Sequence, residues 1–234
     1  MELQTSELRD IALTMLCSIS VVGVHHYFFN SKRLSGPSDE ANTEEAQAGS
    51  IYAQRLWGMF WLALIPASVG LAFRVHPAPF GLLISDPMPA VVLLVTVLLI
   101  VVPIIWLNSQ GPSIWSTYPE IRATAWSWHR HLSNAVTWGV YLVAYEFLFR
   151  GFLLFGLAEH LEMWPAISIT TAIYVGAHFG KPLGELLGCV PVGIGFGYVA
   201  LLSGGIWGPV AAHLLIAVSN DEFCQRYRNS SMSK

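Results

Sequence analysis

Four ionisable side chains lie in stretches of this sequence that are otherwise apolar. Glu146 and Arg150 sit in YLVAYEFLFRGFLLFGL, His178 ends TAIYVGAHFG, and His213 stands inside GPVAAHLLIAV. A charged side chain at the centre of a membrane helix costs about 2.5–3.5 kcal/mol on insertion scales, so it needs a partner or a chemical purpose. Glu146 and Arg150 are four residues apart, which places both on one helix face and lets them pair. A carboxylate shielded from bulk water is a candidate general base. A neutral imidazole can share a water proton or donate to a developing oxyanion. Together these groups suit the activation of a water against an amide bond, with Glu146 and His178 acting on the water and Arg150 holding the carboxylate. The competing reading is an ion pair that neutralises itself, beside histidines that only satisfy hydrogen bonds. Metal binding is the rival chemistry. Glu146, His178, His213 and Glu185 are zinc-ligand types, but no HExxH-like spacing puts two of them on one helical turn. No cofactor is expected, and zinc is kept as the lesser alternative.

The elements that must position these groups follow from composition. Of the 234 residues, 54% are hydrophobic and 12% charged, against about 25% charged in a typical soluble domain. Lipid rather than water must cover much of such a surface. A net charge of -3 offers no basic face for nucleic acid. Nine Trp and eight Tyr suit two membrane interfaces, where amphipathic rings settle. A membrane crossing takes about 20 mostly apolar residues, and the chain predicts an all-α polytopic transmembrane bundle of about seven to eight helices. Seven stretches qualify: 11–29, 56–73, 91–107, 135–157, 164–179, 186–202 and 206–218. The first lacks a basic leading region, since Glu2, Glu7 and Asp10 precede it, so a retained helix is expected instead of a signal peptide.

Polar connections are expected at 31–50, at 74–89 and at 108–130, the last with Trp115, Tyr118, Trp126 and Trp128 at headgroup depth. The organisation expected is a single membrane domain: N-terminal helices over 1–132 with a polar loop at 31–55, a helical core over 133–222, and a polar tail at 223–234. Nine of the twelve Lys and Arg fall on one side if the N-terminus is outside, which predicts N-out, C-in in a cell inner or plasma membrane. Cys17, Cys189 and Cys224 are far apart and read as packing residues. His25, His26, His76, His129 and His131 are expected at helix ends or in connections and receive no role.

YEFLFRG, then YVGAHFGKP, then GFGYVALLSGGIWGPVAAHLL resemble the CPBP family of intramembrane proteases, which includes the CAAX prenyl endopeptidases and the abortive-infection proteins. The resemblance covers roughly 135–220. The family pattern is EExxxR, FxxxH and HxxxN on successive membrane helices. Glu146 and Arg150 match the second Glu and the Arg of the first motif, while Tyr145 stands where the family carries its base Glu. His178 matches the second motif, with Tyr174 in place of Phe. His213 matches the third, with Ala217 where the family has Asn. Glu185, seven residues after His178, is a substitute carboxylate if the Gly and Pro residues bend the chain back. Asn220 is better read as a helix C-terminal residue. The resemblance implies an endopeptidase acting on a membrane-associated protein or peptide without a metal, with His213 stabilising the oxyanion. A catalytically inactive homologue that binds a partner, for immunity or scaffolding, is the second reading. A proton-coupled transporter ranks last, because no inverted repeat is visible.

Overall fold

The computed structural model describes residues 4–34, 44–75 and 80–232. Among these the chain forms seven long helices and no strand: α1 Thr5–Leu34, α2 Glu44–Phe73, α3 Met88–Asn108, α4 Trp128–Ala158, α5 Met163–Ala177, α6 Leu183–Ser203 and α7 Trp207–Met232. Five of them are long and apolar enough to cross a membrane, and α5 is a shorter apolar helix of 15 residues. The chain is an integral membrane protein.

Each apolar run became a helix, but the polar flanks are more helical than expected. Helix α1 continues to Leu34 and α2 begins at Glu44, so of the polar 31–50 segment only 35–43 lies outside the described residues. Gln47, Ala48 and Arg55 are used inside the protein, which is why this stretch is ordered as helix. His76 also falls outside the described residues. The last helix does not stop near 218. It runs on to Met232, and its polar turns are held because Asp221, Cys224 and Gln225 are buried against α4 and the 109–127 connection.

The most apolar of the five spans is the least buried in protein. Helix α3 has the highest mean hydropathy, 3.1, with 11% of its apolar window buried in protein, whereas α4 has 1.6 with 83% buried. In lipid the apolar helix goes outward and the helix bearing polar groups goes inward. Helix α4 is therefore the axis of the bundle, with Leu148, Phe149, Phe152, Leu153 and Leu154 in the principal core.

Three helices contain a π-helical stretch: Phe60–Leu64 in α2, Val97–Val101 in α3 and Phe147–Leu154 in α4. The first two precede Pro66 and Pro103, whose missing N–H breaks the ordinary ladder. No proline explains the third. It surrounds Arg150 and Gly151, and a Cβ on Gly151 would come 2.7 Å from the Phe80 carbonyl oxygen. The Phe80 backbone thus leans directly on the widened turn. Gly81 beside it has φ +65°, and a Cβ there would strike the Phe155 ring, so only glycine fits.

The 109–127 connection is a strap across one end of the bundle. A 3-10 turn, Pro112–Ser116, opens it. Ile121 and Ala123 are buried against Ala48 of α2, and the Gln225 amide of α7 donates to the Ala123 carbonyl at 2.9 Å. Tyr118 and Glu120 carry its polar anchors.

Candidate active site

Two helices meet to make the centre of the site. His213 of α7 brings Nδ1 to 2.6 Å from Glu146 Oε1 of α4, and Arg150 Nη1 lies 3.0 Å from Glu146 Oε2. Glu146 and Arg150 are both wholly buried, and His213 is 12% exposed. A carboxylate only accepts, so His213 Nδ1 carries the hydrogen and its Nε2 is left as the basic atom. Both carboxylate oxygens face a cation or an N–H. Glu146 is therefore the middle of a chain from Arg150 to His213, and His213 is the member with a free basic atom.

Arg150 is held by rings as much as by charge. Its guanidinium carbon lies 4.6 Å from the Tyr174 ring centroid, 5.4 Å from Phe196 and 5.9 Å from Phe149. Cation–π contacts in a desolvated site contribute about 2 kcal/mol or more. They account for how a buried guanidinium persists although Nε, Nη1 and Nη2 have no well-aligned hydrogen-bond acceptor among the described residues.

His178 follows the last residue of α5 and caps it. Its Nδ1 donates to the Tyr174 carbonyl, one turn back, at 2.9 Å, which again leaves Nε2 as the basic atom. The Tyr145 hydroxyl is 3.5 Å from the same Nδ1. The Tyr145 ring is edge-on to both imidazoles, 6.1 Å from His178 and 5.5 Å from His213. Tyr174 is likewise 4.6 Å from His178 and 6.2 Å from His213. The four residues expected from the sequence thus split into a touching trio, Glu146, Arg150 and His213, and a histidine reached across two tyrosines.

Glu185 joins neither group directly. It lies in the first turn of α6, where its Oε1 accepts from the Tyr118 hydroxyl of the strap at 2.8 Å. Lys181 stands 3.8 Å from that oxygen. Asn220 lies well inside α7, and its side-chain amide donates to the Ile216 carbonyl. Ala217 is buried in the core. Among the described residues no three His, Cys, Asp or Glu side chains group to hold a metal ion.

Sequence reading missed a second buried cluster at the strap. Arg55 of α2, 2% exposed, reaches Glu120 at 2.9 Å, Asp221 at 3.5 Å, the Asn134 side chain at 2.8 Å and Thr137 at 3.1 Å. Asp221 also accepts from the Trp138 indole at 2.7 Å and from the Glu120 backbone N–H at 3.0 Å. The signal available was Asp221 itself, the first acid past the last apolar run. Two histidines expected to be idle also have partners. His25, inside α1, is 3.0 Å from the Tyr141 hydroxyl, and His131 is 2.7 Å from Glu222.

The family description "Type II CAAX prenyl endopeptidase Rce1-like" matches residues 126–219. That segment runs from the end of the strap through α4, α5 and α6 to Ser219 of α7, and it holds every residue of the site except those supplied by the strap. No curated protein and no solved structure matches the chain. Over residues 126–219 the chain is therefore similar to the type II CAAX prenyl endopeptidase Rce1-like family, in the same stretch that carries its three motifs.

Proposed function

We propose that this protein is an intramembrane endopeptidase that cleaves a membrane-associated protein or peptide by imidazole-activated water. The observation that carries this reading is the Arg150–Glu146–His213 chain. A buried carboxylate is fixed by a cation on one side and, on the other, orients an imidazole whose second nitrogen is basic. This is the acid–histidine logic of general-base catalysis, applied to a water nucleophile.

The reaction uses the groups as follows. As the water oxygen adds to the carbonyl carbon, His213 Nε2 takes its proton, and the C=O π electrons move to oxygen. Glu146 stabilises the imidazolium that forms, and Arg150 keeps Glu146 in place. The Tyr145 hydroxyl, a donor not assigned from the sequence, offers its hydrogen to the new oxyanion, since Ala217 cannot do so. His178 Nε2 accepts the second water proton. The His213 imidazolium returns its proton to the departing amide nitrogen as the C–N bond breaks. Glu185 contributes from the rim, and no metal takes part. The strap end faces the cytoplasm, in keeping with the distribution of Lys and Arg.

The test uses the purified full chain in lipid nanodiscs with a set of membrane-anchored peptides in water enriched in heavy oxygen. Mass spectrometry is expected to find cleaved peptides with one heavy oxygen in each new carboxylate. Glu146→Gln and His178→Ala are expected to abolish them. Peptides that bind but are never cut, by wild type or variants, would show a binding protein instead.

A further inference from the structure

The strap has two unlike anchors placed two residues apart. At Glu120 it is held by buried charge, through Arg55 and Asp221, which are 2% and 0% exposed. At Tyr118 it is held at the rim. The Tyr118 hydroxyl donates to Glu185 Oε1 at 2.8 Å and accepts from Lys181 Nζ at 3.1 Å. Lys181 also lies over the Tyr118 ring, 4.7 Å from its centroid. Lys181 and Glu185 are each about a quarter exposed, at 21% and 24%.

Both rim partners belong to the turn that leaves the site. His178 ends α5, Lys181 is three residues on and its backbone N–H donates to the His178 carbonyl, and Glu185 opens α6. Helix ends and their turns open at low cost, so the position of His178 depends on what holds this turn. From Glu185 the links run inward. Cys189 is one turn further along α6 and packs in the same core cluster as Tyr174, and the Tyr174 carbonyl holds His178. Tyr118 and Glu120 also lie outside the segment that matches the family, so this attachment is supplied by the strap of this chain.

We propose that Tyr118 is a positioning residue for the active site: its hydroxyl latches the Lys181–Glu185 pair and thereby fixes the turn that carries His178. The Glu120 anchor is the fixed end and the Tyr118 contact the releasable end, because the partners Arg55 and Asp221 are buried from water while Lys181 and Glu185 are partly exposed to it. Burial and the adjacent Glu185 carboxylate push the Tyr118 phenol well above its ordinary value, so the hydroxyl stays a donor across the physiological range. The inference uses the proposed role of His178 only for its catalytic consequence. The latch itself can be read without any substrate.

The experiment is backbone hydrogen exchange on the full chain in nanodiscs, comparing wild type, Tyr118→Phe, Glu185→Gln and Glu185→Leu. Phe keeps the ring over Lys181 and loses only the hydroxyl. Exchange of the amides at 178–183 is expected to rise about tenfold in Tyr118→Phe and Glu185→Leu, the gain expected from losing about 1.4 kcal/mol of local closure. Glu185→Gln keeps an acceptor for the hydroxyl and should stay near wild type, whereas a general loss of stability would treat both Glu185 variants alike. Unchanged exchange at 178–183 in Tyr118→Phe overturns the latch, as does an equal rise throughout α2 and α4. Where cleavage is measurable, Tyr118→Phe should lower kcat with KM unchanged. If the wild type cuts nothing while 178–183 still loosens, the peptidase reading fails and the latch stands.

Discussion

The seam between α4 and α7 carries two buried charge clusters, and they are built in opposite ways. Asp221 lies eight residues beyond His213 on α7, and Trp138 lies eight before Glu146 on α4, so the clusters stand about 12 Å apart along the same pair of helices. In the cluster near the strap, Arg55 makes five contacts with oxygen acceptors and stacks on Trp138 at 3.9 Å. In the deeper cluster, Arg150 has one carboxylate oxygen and otherwise aromatic faces. A densely bonded polar network rigidifies, because breaking any of its bonds leaves a buried group unpaired. A sparsely bonded one leaves basic atoms and hydroxyls without protein partners, as the proposed chemistry requires. Placing the densely bonded cluster beneath the strap and the sparsely bonded one deeper in the bundle would separate anchoring from the proposed chemistry on a single helix pair.

Variants can break that contrast from either side. The largest effect is expected for Arg55→Ala, which leaves Asp221 buried without its cation. Removing one partner of a buried ion pair costs about 3–5 kcal/mol, so thermal unfolding in detergent should show a large fall in stability, with activity lost only through unfolding. His178→Gln should do the reverse. Cleavage should fall about 100- to 10,000-fold through loss of a proton acceptor, while the melting temperature moves by no more than one hydrogen bond, about 1 kcal/mol, allows. Tyr145→Phe preserves the ring between the two imidazoles and removes one donor. A fall of about 100-fold in kcat with an unchanged melting curve would match an oxyanion contact, and full activity would remove Tyr145 from the mechanism. The smallest effect is expected for Arg150→Lys, which keeps the charge near Glu146 but loses the planar face against Tyr174 and Phe196. A loss of about 1 kcal/mol in unfolding free energy is expected, and a larger fall after Arg55→Lys would confirm that only the first cluster depends on a forked hydrogen-bond donor.

The sequence made the membrane and the deep cluster legible for one reason: charge is costly in oil, so each exception is conspicuous. Glu146, Arg150, His178 and His213 interrupt apolar runs, and seven such runs became seven helices. Arg55 and Asp221 were not legible by that route. They lie at the polar margins of α2 and α7, 166 residues apart, where a charge is unremarkable until the fold brings it inside. The same blindness shortened α7, because its polar last turns are stabilised by the strap and α2 rather than by lipid. Hydropathy also could not rank the helices by role. The greasiest, α3, is the outer one, and only packing reveals α4 as the axis. Tyr145 was legible as a departure from a motif, but the edge-on placement that makes it useful depends on two histidines from other helices.

The length of α5 has a consequence for the surrounding lipid. Its 15 residues measure about 22 Å, while the hydrocarbon of an average bilayer is about 30 Å thick. A shortfall of that size is met by the lipid, whose headgroups sink toward the short helix and thin the leaflet beside it. A dimple at the end where α5 gives way to His178 would bring the headgroup layer toward that imidazole. For the proposed peptidase, that would shorten the distance an amide bond must travel from hydrocarbon to water.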